Sequence, residues 1–345
     1  MLRNILIIIV SIILAIIFIL FFYNDKKIEN IKTTEKQEIQ KQEKTLEKYE
    51  YQNLKNRKPN NGEIIFENIL KDEKEFTSYV FFFKTDGKKV SGLANIPKKC
   101  INKCPVLILL RGYVDQTIYT TGVGSERVGQ GFAKAGYITL SPDFLGYGES
   151  ENPSIDALEE RFQSYTTTLD LLASIENIDT SLKALEKLNI SADKDKIGIW
   201  GHSNGGQITI SILEITGGEY PTVLWAPVSK PFPYSILYFT DEFEDHGKAL
   251  RKLVADFESI YDVEKFSPSN FYNLIKAPIQ IHQGSLDDAV PEKWSNELES
   301  NLKNENIDVE YFTYKTENHN FNLGSWDKAF ERSLNFFNKQ LENSQ

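Results

Sequence analysis

The chain has few of the side chains that hold metals or redox groups: its 345 residues include two cysteines, four histidines and one methionine. Cys100 and Cys104 enclose only three residues. CxxxC with no further cysteine and no neighbouring histidine is not a zinc spacing; the pair either closes a small disulfide in an oxidising compartment or remains two thiols. Positive charge is also short. The net charge is −10, and the lysines that cluster between residues 24 and 61 alternate with glutamates, so no basic stripe exists to follow a nucleic-acid backbone. The glycine-rich stretch 142–150 lacks the lysine and following hydroxyl of a phosphate cradle. Asp143 within it is expected to bond backbone amides of its own loop. The acidic cluster Asp241, Glu242, Glu244, Asp245 reads as a solvated face. No cofactor and no metal are expected.

What the sequence does have begins with an apolar run over residues 5–23, broken only by Ser11. At about 1.5 Å per residue such a run crosses a bilayer as a helix, and no small-residue cleavage site follows it. Residues 1–24 are therefore expected to be a single-pass anchor, with the following domain on the extracytoplasmic side as a signal-anchor would leave it. Residues 25–61 are rich in Lys, Glu, Gln and Asn. Ile39 and Leu46 start no sustained heptad, so a charged stalk or linker is expected. The remainder, 62–345, is long enough for one large core.

In that domain, residues 64–69, 78–84 and 89–96 read as strands, with Asp86-Gly87 as a hairpin turn. Buried strands follow at 106–110, 137–141, 196–200, 221–226, 278–282 and 309–314. Helical segments lie between them, at 127–135, 161–188 with a break near Asp179, 207–213, 292–304 and 326–340. This alternation argues for a mostly parallel sheet covered by helices on both faces. Residues 227–277 break the rhythm. Phe232, Tyr234, Tyr238 and Phe239 crowd the start of this excursion and either line an apolar pocket or anchor it to the domain; a helix is expected across 241–260.

The chemistry centres on Gly201-His202-Ser203-Asn204-Gly205, a Gly-x-Ser-x-Gly between a strand and a helix. Glycine on both sides lets a serine sit at a strained turn with its hydroxyl exposed, and the Asn204 amide at the helix start becomes a candidate oxyanion donor. A second donor is expected at the turn after strand 106–110, where Gly112 permits close approach and the Tyr113 amide points inward. Asp287, just past strand 278–282, is placed to orient a histidine. His202 is expected to point away from the serine, His282 lies within a strand and His246 lies in the excursion. His319 alone follows the acid in a loop after a strand, giving the chain order Ser203 (nucleophile), Asp287 (acid), His319 (base).

The elbow, the Pro-Asp-Phe-Leu-Gly-Tyr-Gly-Glu-Ser stretch at 142–150 and the Gly-Ser-Leu-Asp-Asp-Ala-Val-Pro stretch at 284–291 are most similar to the catalytic domain of the prolyl oligopeptidase family and its esterase-like relatives. The similarity covers about residues 90–339. It implies an α/β-hydrolase fold, the same three catalytic residues, and oxyanion donors at Asn204 and at Gly112-Tyr113. It also implies an optional tyrosine hydroxyl in the oxyanion hole, from Tyr113 or Tyr119. Two features depart from the family pattern: the stretch before Val90 is too short for the peptidases' β-propeller, and Arg111 stands where many relatives have histidine. The expected activity is hydrolysis of small acyl esters through an acyl-enzyme. Cleavage of short peptides and a non-catalytic, membrane-anchored binding role are the alternatives.

Overall fold

The computed structural model describes residues 44–100, 102–185, 190–240 and 243–342. The apolar run at 5–23 and most of the expected stalk lie outside them. Among the described residues no helix is long and apolar enough to cross a membrane.

Nine strands form one sheet: β1 (Ile65–Asp72), β2 (Phe76–Thr85), β3 (Lys88–Pro97), β4 (Cys104–Leu110), β5 (Ile138–Pro142), β6 (Ala192–His202), β7 (Thr222–Trp225), β8 (Ile279–Gly284) and β9 (Val309–Tyr314). Their spatial order is β1-β2-β3-β5-β4-β6-β7-β8-β9. The first three strands form an antiparallel lead-in that joins β5 antiparallel; every later neighbour pair is parallel. The β2–β3 hairpin closes through Asp86 and Gly87 at φ 47° and 81°. Two positive φ values in a two-residue loop match the right-handed twist of the strands it joins.

The helices are α1 (Tyr51–Asn56), α2 (Glu126–Lys134), α3 (Ala157–Ser174), α4 (Ile178–Lys183), α5 (Asn204–Thr216), α6 (Tyr234–Leu237), α7 (Lys248–Glu258), α8 (Glu292–Asn304) and α9 (Trp326–Glu342). Side chains alternate across the sheet. From β4, Val106, Ile108 and Leu110 enter the core shared with α3 and α5, while Leu107 and Leu109 enter the core shared with α2 and α9. Both faces are therefore dry, as the unbroken apolar run of this strand requires. The expected long helix at 161–188 is α3 and α4 separated by a 3-10 turn at Ile175–Asn177, slightly before Asp179. In the excursion helix α7 begins only at Lys248, and Asp241 and Glu242 lie outside the described residues. A disulfide joins Cys100 to Cys104, the first residue of β4.

The domain begins earlier than the sequence suggests. Tyr49, Tyr51 and Leu54 are buried in the α3–α5 core, and the Tyr51 hydroxyl is 2.6 Å from Ser211 Oγ on α5. Arg57 makes a two-pronged pair with Asp170, at 2.7 and 2.8 Å. The same fully buried carboxylate accepts from Asn60 N and Thr85 Oγ1. Residues 46–61, expected to belong to a stalk, thus pack on the domain: a short, Tyr-containing stretch among charges gives no periodic signal, yet its few apolar residues are all spent on one groove.

Removing Arg57 would leave Asp170 buried beside uncharged donors only. An Arg57→Met variant is expected to lose about 3–5 kcal/mol of stability, the usual consequence of breaking a buried ion pair from one side. Chemical denaturation measures this; a loss under about 0.5 kcal/mol would mean that the segment is a dispensable linker.

Candidate active site

Strand β6 delivers Ser203 to the carboxyl edge of the sheet, and α5 starts at the next residue. Ser203 sits at φ 55°, ψ −120°, a region non-glycine residues avoid at a cost of about 1–3 kcal/mol. The surroundings hold it there. Its N–H donates to Trp225 O, and its carbonyl accepts from Gly206 N and Val228 N, at 2.9–3.0 Å. A side chain at Gly205 would collide with the Leu110 carbonyl, and one at Gly206 would come within 2.6 Å of Pro227 Cβ. The elbow is thus wedged between β4 and the chain leaving β7.

The second oxyanion candidate lies across from it. A Cβ on Gly112 would sit 2.9 Å from Ser203 Cβ, so only glycine allows this backbone against the nucleophile. Arg111 Nη1 donates to Gly112 O and Nη2 to Asp143 O, both at 2.9 Å. Its guanidinium is buried between the rings of Tyr119 and Tyr147, at 4.4 and 4.2 Å from their centroids. Because the peptide unit is planar and trans, fixing the Gly112 carbonyl turns the Tyr113 N–H away from the guanidinium. The Tyr113 side chain is 76% exposed, which leaves the amide as the donor this turn offers. Tyr119, the other candidate hydroxyl, is committed elsewhere: it donates to Asp143 Oδ1 at 2.6 Å. Asp143 also accepts from Ser91 Oγ and Thr121 Oγ1. Its partners are therefore side-chain hydroxyls rather than the amides of its own loop. Burial raises its pKa, while these hydroxyls and Arg111 act in the opposite direction.

The acid and base meet as their order implies. Asp287 Oδ2 lies 2.9 Å from His319 Nδ1; the carboxylate is fully buried and also accepts from Gln283 Nε2, Ala289 N and Val290 N. With Nδ1 engaged, His319 keeps Nε2 for proton exchange. His202 does more than point away from the serine. Its Nε2 lies 3.0 Å from the His319 carbonyl, and the two rings are 4.7 Å apart. Burial, then the neighbouring His319, pushes its pKa down to about 4; the neutral ring must carry its proton on Nε2, since a carbonyl only accepts. His282 is internal to β8, bonded to Tyr314 and Gln280, and burial holds it at about 3. His246 lies exposed in the excursion.

Two supporting residues, Gln283 and Glu317, had no sequence signal, and a third, Arg111, stood out only as a departure from the family pattern. Gln283 braces Asp287, Arg111 orients the oxyanion turn, and Glu317 ties the base loop. The buried Glu317 carboxylate accepts from Asn318 N, Leu323 N and Ser325 N. Gly284 lets this loop lie against the end of β8, where a Cβ would come within 2.8 Å of Asn318 O. No motif links a glutamate to amides six and eight residues ahead.

Three cavities are each lined by a residue adjacent in sequence to the triad, and none of them by Ser203, Asp287 or His319. One of about 240 Å³ is lined by Tyr113, Asn204, Arg111, Arg161 and Tyr165. A second, of about 740 Å³, lies between the excursion and the acid loop and is lined by Tyr234, Leu237, Tyr238, Phe239, Arg251 and Asp288. The excursion's aromatics therefore divide between the two readings: Phe232 is buried in the core, whereas Tyr234, Tyr238 and Phe239 remain 37–49% exposed at the cavity. The third, of about 400 Å³, opens on the other side, by His202 and Asn320. No cluster of metal-ligating side chains occurs among the described residues.

A family model for the prolyl oligopeptidase family matches residues 128–344. No curated protein matches the chain in sequence. Similar solved structures include a puromycin-hydrolysing peptidase from Mycobacterium tuberculosis, with TM-score 0.57 and 17% identity over 78% of this chain but only 40% of its own. Est1E from Butyrivibrio proteoclasticus, with ferulic acid bound, gives TM-score 0.52 and 18% identity over 76% of this chain and 99% of its own. An acetyl xylan esterase from Paenibacillus sp. R4 gives TM-score 0.56 and 17% identity over 83% and 91%. At these identities the structures show the shared fold.

The base loop carries a pH signature. Burial raises the Glu317 pKa, but the amides of Leu323, Ser325 and Asn318 outweigh it and leave the net shift downward. A carboxylate depressed in the folded state adds stability above its unfolded pKa of about 4.3, and that stability is lost as pH falls through the folded value. Glu317→Gln is therefore expected to be less stable than the parent at pH 7, with the gap narrowing below about pH 4.3. Urea titrations at both pH values test it; a gap that is constant with pH would remove Glu317 from this role.

Proposed function

Since the chain belongs to the prolyl oligopeptidase family of serine hydrolases, we propose that it hydrolyses carboxylic esters of small acyl groups through an acyl-enzyme on Ser203. The observation that carries this reading is the Asp287–His319 bond of 2.9 Å in a loop that packs, through His202, on the strained Ser203 turn.

In the proposed sequence His319 Nε2 takes the Ser203 proton as Oγ attacks the ester carbonyl. The oxygen that gains charge is met by the N–H groups of Asn204 and Tyr113, one at a helix start and the other on the clamped peptide. His319 then returns the proton to the departing alcohol, and a water molecule repeats the cycle in reverse to free the acid. Asp287 holds the imidazole in the Nδ1–H tautomer and stabilises its charged form; it keeps its own charge throughout.

Two considerations favour esters over peptides. An alcohol leaves with less help from the base than an amine does, so an ester needs fewer positioning contacts. The excursion cavity sets the rings of Tyr234, Tyr238 and Phe239 beside Arg251 and Asp288, which leaves room for an aromatic group among polar ones. Peptide cleavage is the competing reading, because peptidases share the fold and the family.

The expected outcome is a higher kcat/KM for a p-nitrophenyl ester than for the peptidyl-nitroanilide with the same acyl group, compared at one pH on the full chain. Matching the acyl group matters, since activated esters react with almost any aligned serine. A preference of about a hundredfold or more for a specific peptide over its matched ester would assign the protein to the peptidases.

A further inference from the structure

In an acyl-enzyme the carbonyl oxygen faces the donor amides, and the acyl chain hangs from the same carbon. The chain therefore starts beside the point where those amides converge. Of the three cavities, only the one of about 240 Å³ is lined by both donor residues, Asn204 and Tyr113. It is smaller than the roughly 300–1,000 Å³ of sites that enclose drug-sized ligands, so it suits a short acyl chain.

One charge in this cavity has no counter-charge. Arg161, on α3, lines it and is half-buried. Its Nη2 donates to Gln207 Oε1 at 2.7 Å and to Asn204 Oδ1 at 3.3 Å, both neutral amides on the first turn of α5. Nη1 and Nε make no hydrogen bond among the described residues, yet neither is sealed from solvent. A guanidinium keeps its charge at any working pH. Burial works against that charge, and what offsets it is the phenols of Tyr165 and Tyr51 rather than a carboxylate. The positive end of α5 adds to the mismatch. The chain treats its other buried guanidinium groups differently: Arg57 has Asp170, and Arg111 is held by two carbonyls beside Asp143. Glu160 also lines the cavity, but it makes no ion pair with Arg161 among the described residues, and burial raises its pKa, which weakens it as a counter-charge.

A partly desolvated cation left unpaired next to the oxyanion donors calls for an anion from the substrate. We propose that this cavity is the subsite for the acyl group, and that the acyl group is a short chain ending in a carboxylate, so that the substrate is the half-ester of a small dicarboxylic acid. The inference rests on the hydrolase reading for its place in the reaction but not for binding of the anion. The carboxylate on Arg161 takes no part in the bond changes at Ser203. It fixes the far end of the chain, and with it the approach of the ester carbonyl to Oγ. A neutral acyl group of the same length leaves Arg161 unpaired in the complex, and that difference appears as discrimination between the two.

The test compares monomethyl glutarate with the same ester in which a carboxamide replaces the free carboxylate, a change of charge at constant shape. In the full chain at pH 7, kcat/KM is expected to be about tenfold or more higher for the charged ester. The ratio is expected to fall to about one in Arg161→Gln and to be partly kept in Arg161→Lys. An equal loss on both substrates in Arg161→Gln would make Arg161 a support of the α5 turn and overturn the subsite. A parent chain with no preference for the charged ester would overturn it whatever the variants do. A preference for the methyl ester of γ-aminobutyrate that is lost in Glu160→Gln would overturn it in favour of a cationic acyl group. Binding is read separately by calorimetric titration of Ser203→Ala with monomethyl glutarate: saturable heat is expected, weakened about tenfold when Arg161→Gln is added, and no saturable heat would also overturn the subsite. Saturable binding by a chain that turns over neither ester would retain the anion site and refute the hydrolase reading.

Discussion

The backbone of Ser203 is the constraint from which the rest of the site follows. A serine at φ 55° is unfavourable alone, so the fold must hold it there. It does so by bringing three surfaces within contact of one turn: the end of β4 against Gly205, the chain after β7 against Gly206, and the Gly112 turn against Ser203 itself. Each contact needs a glycine because the approaching group is backbone or a short rigid side chain. The same crowding that strains the serine also sets the Gly112 turn against it, the turn in which the proposed oxyanion donor Tyr113 follows.

Around that turn, buried carboxylates act as fasteners. Asp287 holds the base, Asp143 gathers the hydroxyls next to Arg111, Glu317 ties the base loop, and Asp170 secures the segment that precedes the sheet. Each accepts three or more hydrogen bonds, which is how a fixed charge is tolerated away from water. Glu214 on α5 is the exception. Neither of its oxygens has a partner among the described residues, and burial raises its pKa well above the ordinary value, because desolvation disfavours the charged form.

The strand rhythm, the elbow and the order of acid and base were legible in the sequence because each depends on local spacing. The unbroken apolar run of β4 and the Gly-x-Ser-x-Gly turn are written in adjacent residues. Contacts between distant residues were not. Nothing near Arg57 announces Asp170, and nothing near Tyr119 announces that its hydroxyl belongs to Asp143 rather than to the oxyanion hole. Tyr49, Tyr51 and Leu54 lie in a charged stretch whose composition suggests a stalk, and only the groove on α3 and α5 explains their burial. His202 follows the same pattern: its neighbour in sequence is the nucleophile, yet its hydrogen bond is to the base loop.

The central claim is that Ser203 becomes covalently acylated, and the most direct measurement is to trap that intermediate. Brief reaction of the full chain with a p-nitrophenyl ester, quenched in acid and analysed as intact protein and as peptides, is expected to add the mass of one acyl group. The modified peptide should be the one containing Ser203, and Ser203→Ala should remain unmodified. Ester turnover that continues in Ser203→Ala, or an acyl group found on another residue while Ser203 stays free, would contradict the account.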